Sequence, residues 1–91
     1  MSFYFMDENH DVHAADDLSG MELDNYVVAF TFADGELIST FLDYKTGLFR
    51  TFVPGRGFDT NYASYTRAAM GHDVIVAAVR AGKDLTKVVL P

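Results

Sequence analysis

Residues 26–53 read YVVAFTFA-DG-ELISTFLDY-KTG-LFRTFV, and this stretch decides the fold. Its apolar runs are rich in aromatic and β-branched residues, the composition of strands. Asp34-Gly35 is the dipeptide that favours a two-residue type I′ hairpin, in which both loop residues need positive φ. Lys45-Thr46-Gly47 fits a three-residue hairpin loop with its glycine left-handed. Pro54-Gly55 closes the third run, because proline cannot donate to a sheet ladder. The reading is a three-stranded antiparallel β-meander over about 26–53.

Turn length sets register, and register sets faces. These loops place Phe32 opposite Leu37, Phe30 opposite Ser39, Val28 opposite Phe41, Phe41 opposite Thr51 and Asp43 opposite Phe49. One face then carries Val28, Phe30, Phe32, Leu37, Phe41, Phe49 and Val53, the expected core. The other carries Ile38, Leu42, Tyr44, Leu48 and Phe52. A solvated sheet face is normally polar, so something must cover or bind this second patch; beside internal cover, the expected use is an interface, with a partner or with another copy of the chain.

Working outward, Ser2–Met6 reads as a short N-terminal strand and Asp7–Gly20 as an acidic, turn-rich connection. Beyond Gly55-Arg56-Gly57-Phe58, Asp59 or Thr60 is the expected helix N-cap. Tyr62, Tyr65, Ala69 and Val76, with Ala68, Ile75 and Val79, recur at helical spacing. The expectation is one helix, or a pair broken at Gly71, over about 60–81, packed on one sheet face and closed by Gly82. Residues 83–91 are a candidate terminal strand. The class is α+β, in a single domain spanning 1–91.

Charge is the most informative global property. Residues 1–44 hold ten carboxylates and no Lys or Arg; residues 45–91 hold all seven bases against three acids, for a net charge of −6. Nucleic-acid binding needs concentrated positive charge, so direct binding to DNA or RNA is not expected. A basic protein surface is the better match. The chain has no cysteine, which excludes disulfides and thiolate metal sites and favours a reducing compartment. No apolar run is of signal-peptide or membrane-spanning length. The expected location is cytoplasmic, the host cytoplasm if the protein is phage-encoded.

Each potential chemical site has a simpler account beside it. Asp7-x-Asn9-x-Asp11 copies the opening of a calcium loop, but Val12 stands where that loop needs Gly and Leu18 where it needs a bidentate Glu. His10, His13 and Asp16 are the candidate ligands for a transition metal; a solvated acidic turn explains them more simply. Gly55-Arg56-Gly57 resembles an anion-binding loop without the full pattern of one. His72-Asp73, with Ser64 or Tyr65, is a candidate acid–base group, although adjacency in sequence does not supply convergence.

The function expected from these residues is non-enzymatic and requires no cofactor. Asp7, Glu8, Asp11, Asp16, Asp17, Glu22 and Asp24 would present an acidic surface to a basic partner, with Ile38, Leu42, Tyr44, Leu48 and Phe52 as the apolar contact or homodimer face. The most concrete form is a phage-type inhibitor of a nucleic-acid-processing or defence complex, anti-CRISPR-like or a nucleic-acid mimic. The alternatives are a small metal-dependent or acid–base enzyme built on His10, His13 and Asp16, and a structural subunit of a larger assembly.

Overall fold

In a computed structural model describing residues 2–91, the meander grows from its first turn as the dipeptide demands. Strands β3 (Val27–Ala33) and β4 (Glu36–Leu42) are joined by Asp34 and Gly35, with φ of 51° and 76°. Both angles are left-handed, as type I′ requires. Phe32 pairs with Leu37 and Phe30 with Ser39, as the loop length implies, but a bulge between Val27 and Ala29 shifts the register so that Phe41 pairs with Val27 and not with Val28.

The second turn differs by one residue, and the difference turns the sheet over. The Asp43 N–H donates to the Leu48 carbonyl (2.8 Å) and the Gly47 N–H to that of Asp43 (2.9 Å). The loop is therefore Tyr44–Gly47. Asp43 starts it early, because its Oδ1 accepts the Lys45 N–H at 2.9 Å, the local turn that Asp side chains favour. Thr40 now sits opposite Thr51 and Leu42 opposite Phe49 in β5 (Phe49–Val53). A slip of one residue sends every side chain of a strand to the other face. Phe49 and Val53 thus join Ile38 and Leu42, while Arg50 and Phe52 join Phe30, Phe32 and Phe41.

Phe58–Tyr62 is a fourth strand, β6, rather than the start of the helix. Its Phe58, Thr60 and Tyr62 pair with Val53, Thr51 and Phe49. Tyr62 satisfied a helical period with Tyr65, but Asp59 and Asn61, alternating with Phe58, Thr60 and Tyr62, restore the pattern of a strand. The single helix α1 runs unbroken from Tyr65 to Arg80, with Ser64, not Asp59 or Thr60, as its N-cap and its Oγ accepting the Arg67 N–H at 3.2 Å. Gly71 lies inside it. Gly82 (φ 67°) closes it as expected. No terminal strand forms: Leu85–Lys87 make a short 3-10 turn capped by Asp84.

The result is a four-stranded antiparallel sheet, β3-β4-β5-β6, with α1 on one face, and a separate N-terminal hairpin of β1 (Phe3–Met6) and β2 (Val12–Ala15). The hairpin is tied on by the Tyr4 N–H donating to the Tyr44 carbonyl (2.8 Å) and by Met6, buried among Leu42, Phe49, Tyr62 and Ala68. The rest of the core is Ala33, Ile38 and Val53 against Ile75, Val76, Ala78, Val79 and Leu85. The covered face is thus the one expected to be open, apart from Phe49 and Val53. Arg50 and Asp59 explain the choice: both share the Phe30/Phe32 face, and covering it would desolvate their charges. No helix among the described residues is long and apolar enough to cross a membrane.

Candidate protein-interaction surface

Strand alternation carries Phe30, Phe32, Leu37, Ser39, Phe41, Arg50 and Phe52 to the sheet face opposite α1. Nothing among the described residues covers it. Phe30 is 55% exposed, Phe32 74% and Phe52 37%, a concentration of aromatic surface that a soluble chain rarely leaves open without use. Polar groups interrupt it on the β5–β6 side. There Arg50 lies over the Phe41 ring, 5.5 Å from its centroid, and is held between Asp43 (3.3 Å) and Asp59. Pairing with these carboxylates, Asp59 above all, pushes the guanidinium pKa further up.

At the other end, the 3-10 turn Leu23–Asn25 borders a groove lined by Leu23, Tyr26, Val27, Phe30, Phe41 and Tyr44 together with Lys45 and the paired Arg50 and Asp43. Leu23 is 74% exposed. The Tyr26 hydroxyl is buried without a hydrogen-bond partner, and burial pushes its pKa up.

The residues expected to form the apolar interface divide. Ile38 and Leu42 are fully buried beneath α1 and are withdrawn from it. Tyr44, Leu48 and Phe52 remain exposed: Phe52 lies on the aromatic face, and Tyr44 and Leu48 stand at the β4–β5 loop. Sequence reasoning missed Phe30, Phe32 and Phe41 as surface residues because it assigned them to the core. The three-residue reading of the second turn placed Arg50 on the opposite face; the signal that could have corrected it was Asp43, whose side chain closes the turn one residue earlier.

The acidic segment folds around the hairpin. Asp7 serves the hairpin itself: its Oδ1 accepts the N–H groups of Asn9 (2.8 Å) and Asp11 (3.1 Å), and its Oδ2 meets His13 Nε2 at 2.6 Å. These contacts, the His13 bond first, hold its carboxyl below the usual carboxylate range. Asp17 Oδ1 accepts the Ser19 N–H, and Glu22 forms a capping box with Asn25. Glu8, Asp11, Asp16, Asp17, Glu22 and Asp24 are all exposed. Among the described residues none of these six joins an ion pair, whereas Arg50 and Arg56 are taken up by Asp43, Asp59 and Glu36. The negative charge of this segment therefore reaches the surface.

The candidate chemical groups do not converge. His13 is engaged by Asp7, and His10 (φ 65°) stacks on the Tyr65 ring at 3.7 Å between centroids. Among the described residues no group of three or more His, Asp and Glu side chains could hold a metal ion. His72 is 2% exposed and meets neither Ser64 nor Tyr65; its Nε2 lies 2.8 Å from Thr31 Oγ1 and its Nδ1 2.7 Å from Thr40 Oγ1. The chain continues from Thr40 to Thr51 (2.6 Å), and Thr51 donates to the Tyr62 hydroxyl (3.1 Å). With Thr51 donating outward, it accepts from Thr40; Thr40 in turn accepts the Nδ1 proton, and Nε2 accepts from Thr31. Every buried side-chain polar atom from His72 through Thr40 and Thr51 to Tyr62 has a partner, as stability requires. This chain of bonds joins helix to sheet, with His72, Thr40, Thr51 and Tyr62 buried and Thr31 at its half-buried end.

Burial pushes the His72 pKa below its ordinary 6.5, with neighbouring Asp73 a smaller opposing influence. The folded state therefore binds fewer protons here than the unfolded state. Its contribution to stability is complete above pH 6.5 and is lost as pH falls from there towards the depressed folded value. We expect denaturant-melt stability to fall below pH 6.5, with a contribution from this group of at most about 1.4 kcal/mol per pH unit. His72→Gln, which cannot titrate, should lack that component. An identical pH profile in the two proteins would refute it.

Compared with known proteins, the chain matches no family model, no curated protein and no solved structure.

Proposed function

We propose that this protein is a non-enzymatic interaction module that binds a basic protein surface through its aromatic sheet face and the carboxylates beside it. The observation that carries the reading is that two features follow one another along the same edge strand of the sheet. Phe30 and Phe32 are exposed on strand β3, and the acidic segment, in which Glu8, Asp11, Asp16, Asp17, Glu22 and Asp24 join no ion pair among the described residues, runs into that strand through Glu22, Leu23 and Asp24. Aromatic anchors supply most binding energy in protein interfaces, and charge supplies orientation and association rate. The most concrete form is an inhibitor of a nucleic-acid-processing or defence complex, its carboxylates standing where phosphates would lie. A net charge of −6 and the exposed carboxylates of Glu8, Asp11, Asp16, Asp17, Glu22 and Asp24 support that form.

The test is affinity capture from the source cell, followed by titration of the captured partner against variants. Phe30→Ser/Phe32→Ser and the fourfold reversal of Asp11, Asp16, Asp17 and Asp24 to Lys should each weaken binding at least about tenfold. All six positions are exposed, so both proteins should melt close to the parent. Binding unchanged in both variants would sink the proposal.

A further inference from the structure

We propose that β3 is a docking edge to which the partner adds an extended, basic segment as a fifth strand. The idea rests on the proposed interaction function and specifies how that surface is used.

The geometry follows from the ladder. In a two-residue hairpin the closing pair, here Ala33 and Glu36, exchanges both backbone hydrogen bonds, and bonded and unbonded pairs then alternate. Thr31–Ile38 and Ala29–Thr40 are the next bonded pairs in the observed register. The second turn checks this parity independently: Asp43 bonds Leu48 across to β5, so odd-numbered residues of β4 face β5 and even-numbered ones face β3. The N–H and C=O groups of Phe30 and Phe32 therefore point away from β4, along an edge that no other backbone among the described residues meets. The two residues that offer free backbone are also the two whose rings stand exposed at 55% and 74%.

The opposite edge is different. By the same alternation β6 offers the backbone of Asp59 and Asn61, and Asp59 carries a charge tied to Arg50. Charged residues on an edge discourage strand addition. β3 has no charged residue and no proline in Val27–Ala33, and its bulge is confined to the Val27 end. One edge is blunted and the other is open.

Charge selects the occupant. Exposed Glu22 and Asp24 precede β3 and exposed Asp34 follows it, with no Lys or Arg before residue 45. A segment with apolar side chains over Phe30 and Phe32 and Lys or Arg towards its ends complements this frame. A second copy does not, since antiparallel pairing of Phe30 with Phe32 of another chain turns the Asp34 end of each copy towards the Asp24 end of the other.

The test uses the full chain, ¹⁵N-labelled, with an end-blocked hexapeptide of alternating Arg and Val as probe. Two control peptides accompany it: one methylated on the amides that would face β3, and one with Glu in place of Arg. The Arg/Val peptide should shift the Phe30 and Phe32 amides and slow their exchange with D₂O at least about tenfold. The Glu/Val and methylated peptides should do neither. Asp24→Asn/Asp34→Asn should weaken the Arg/Val peptide several-fold, asparagine being tolerated at the positive φ of position 34. Unmoved Phe30 and Phe32 amides, or equal binding of the methylated peptide, would overturn strand addition. The wider interaction function would still stand if Phe30→Ser/Phe32→Ser weakened capture of the partner. Slow exchange of both amides in the free chain, with a solution mass of two chains, would assign the edge to a second copy and overturn the basic partner.

Discussion

Replacing His72 with Ala is expected to destabilise the protein by about 3 kcal/mol. Two costs add. The imidazole leaves a cavity between α1 and the sheet at a position only 2% exposed. It also takes away the donor to Thr40 and the acceptor from Thr31. Thr31 is only half-buried and can turn to water, but Thr40 and Thr51 are completely buried. Thr40 then keeps its bond to Thr51 and loses the one to the helix. For a domain of this size the melting temperature should fall by roughly 12–24 °C. Chemical denaturation of the two proteins at pH 7.5 measures it, and a loss below about 1 kcal/mol would mean that the hydroxyl chain does not hold helix to sheet. His72→Gln, which keeps hydrogen-bonding capacity on both sides, should lose less than His72→Ala.

Gly71→Ala should also destabilise, by about 2 kcal/mol, although alanine is the better helix former by about 1 kcal/mol. The sign is reversed by what Gly71 touches. An added Cβ would stand 2.5 Å from Cζ of the Tyr62 ring and closer still to Cε1 and the hydroxyl oxygen. Tyr62 is 4% exposed, lies in the core with Met6, Leu42, Phe49 and Ala68, and accepts from Thr51. The ring cannot move without breaking that packing, so the helix and β6 must part. The check is a double-mutant cycle. In a Tyr62→Ala background the obstacle is gone, and Gly71→Ala should become neutral or stabilising. A Gly71→Ala protein as stable as the parent would show that α1 and β6 are not in the close contact described.

These two positions also mark where reading the chain fell short. Gly71 looked like a bend or a break in a helix, because glycine has poor helix propensity. It is instead the one residue small enough to let a tyrosine from the preceding strand pass beneath α1. His72 looked like half of an acid–base pair with Asp73. Helical geometry sends adjacent residues to different faces, and the histidine turns inward to the threonines while Asp73 stays in water.

Composition and turn chemistry alone settled the α+β class, the first hairpin with its register from the turn as far as Ala29 and Thr40, a helix closed by Gly82 and the division of charge along the chain. Those features are local: Asp34 and Gly35 choose their turn within four residues, and a helical period needs only its own side chains. Which sheet face would be covered was not local. It hung on Asp43 closing a four-residue loop instead of a three-residue one, a choice between turns of similar cost that shifts β5 by one position and exchanges its two faces. Once β5 was placed, Phe49 and Val53 lined up with Ile38 and Leu42 to make one continuous apolar surface for α1. Arg50 and Asp59 kept the opposite face in water, and the phenylalanines beside them were left there too. The aromatic surface on which the proposed function rests is therefore a product of tertiary register. The acidity of the segment that runs into it was written in the residues from the start.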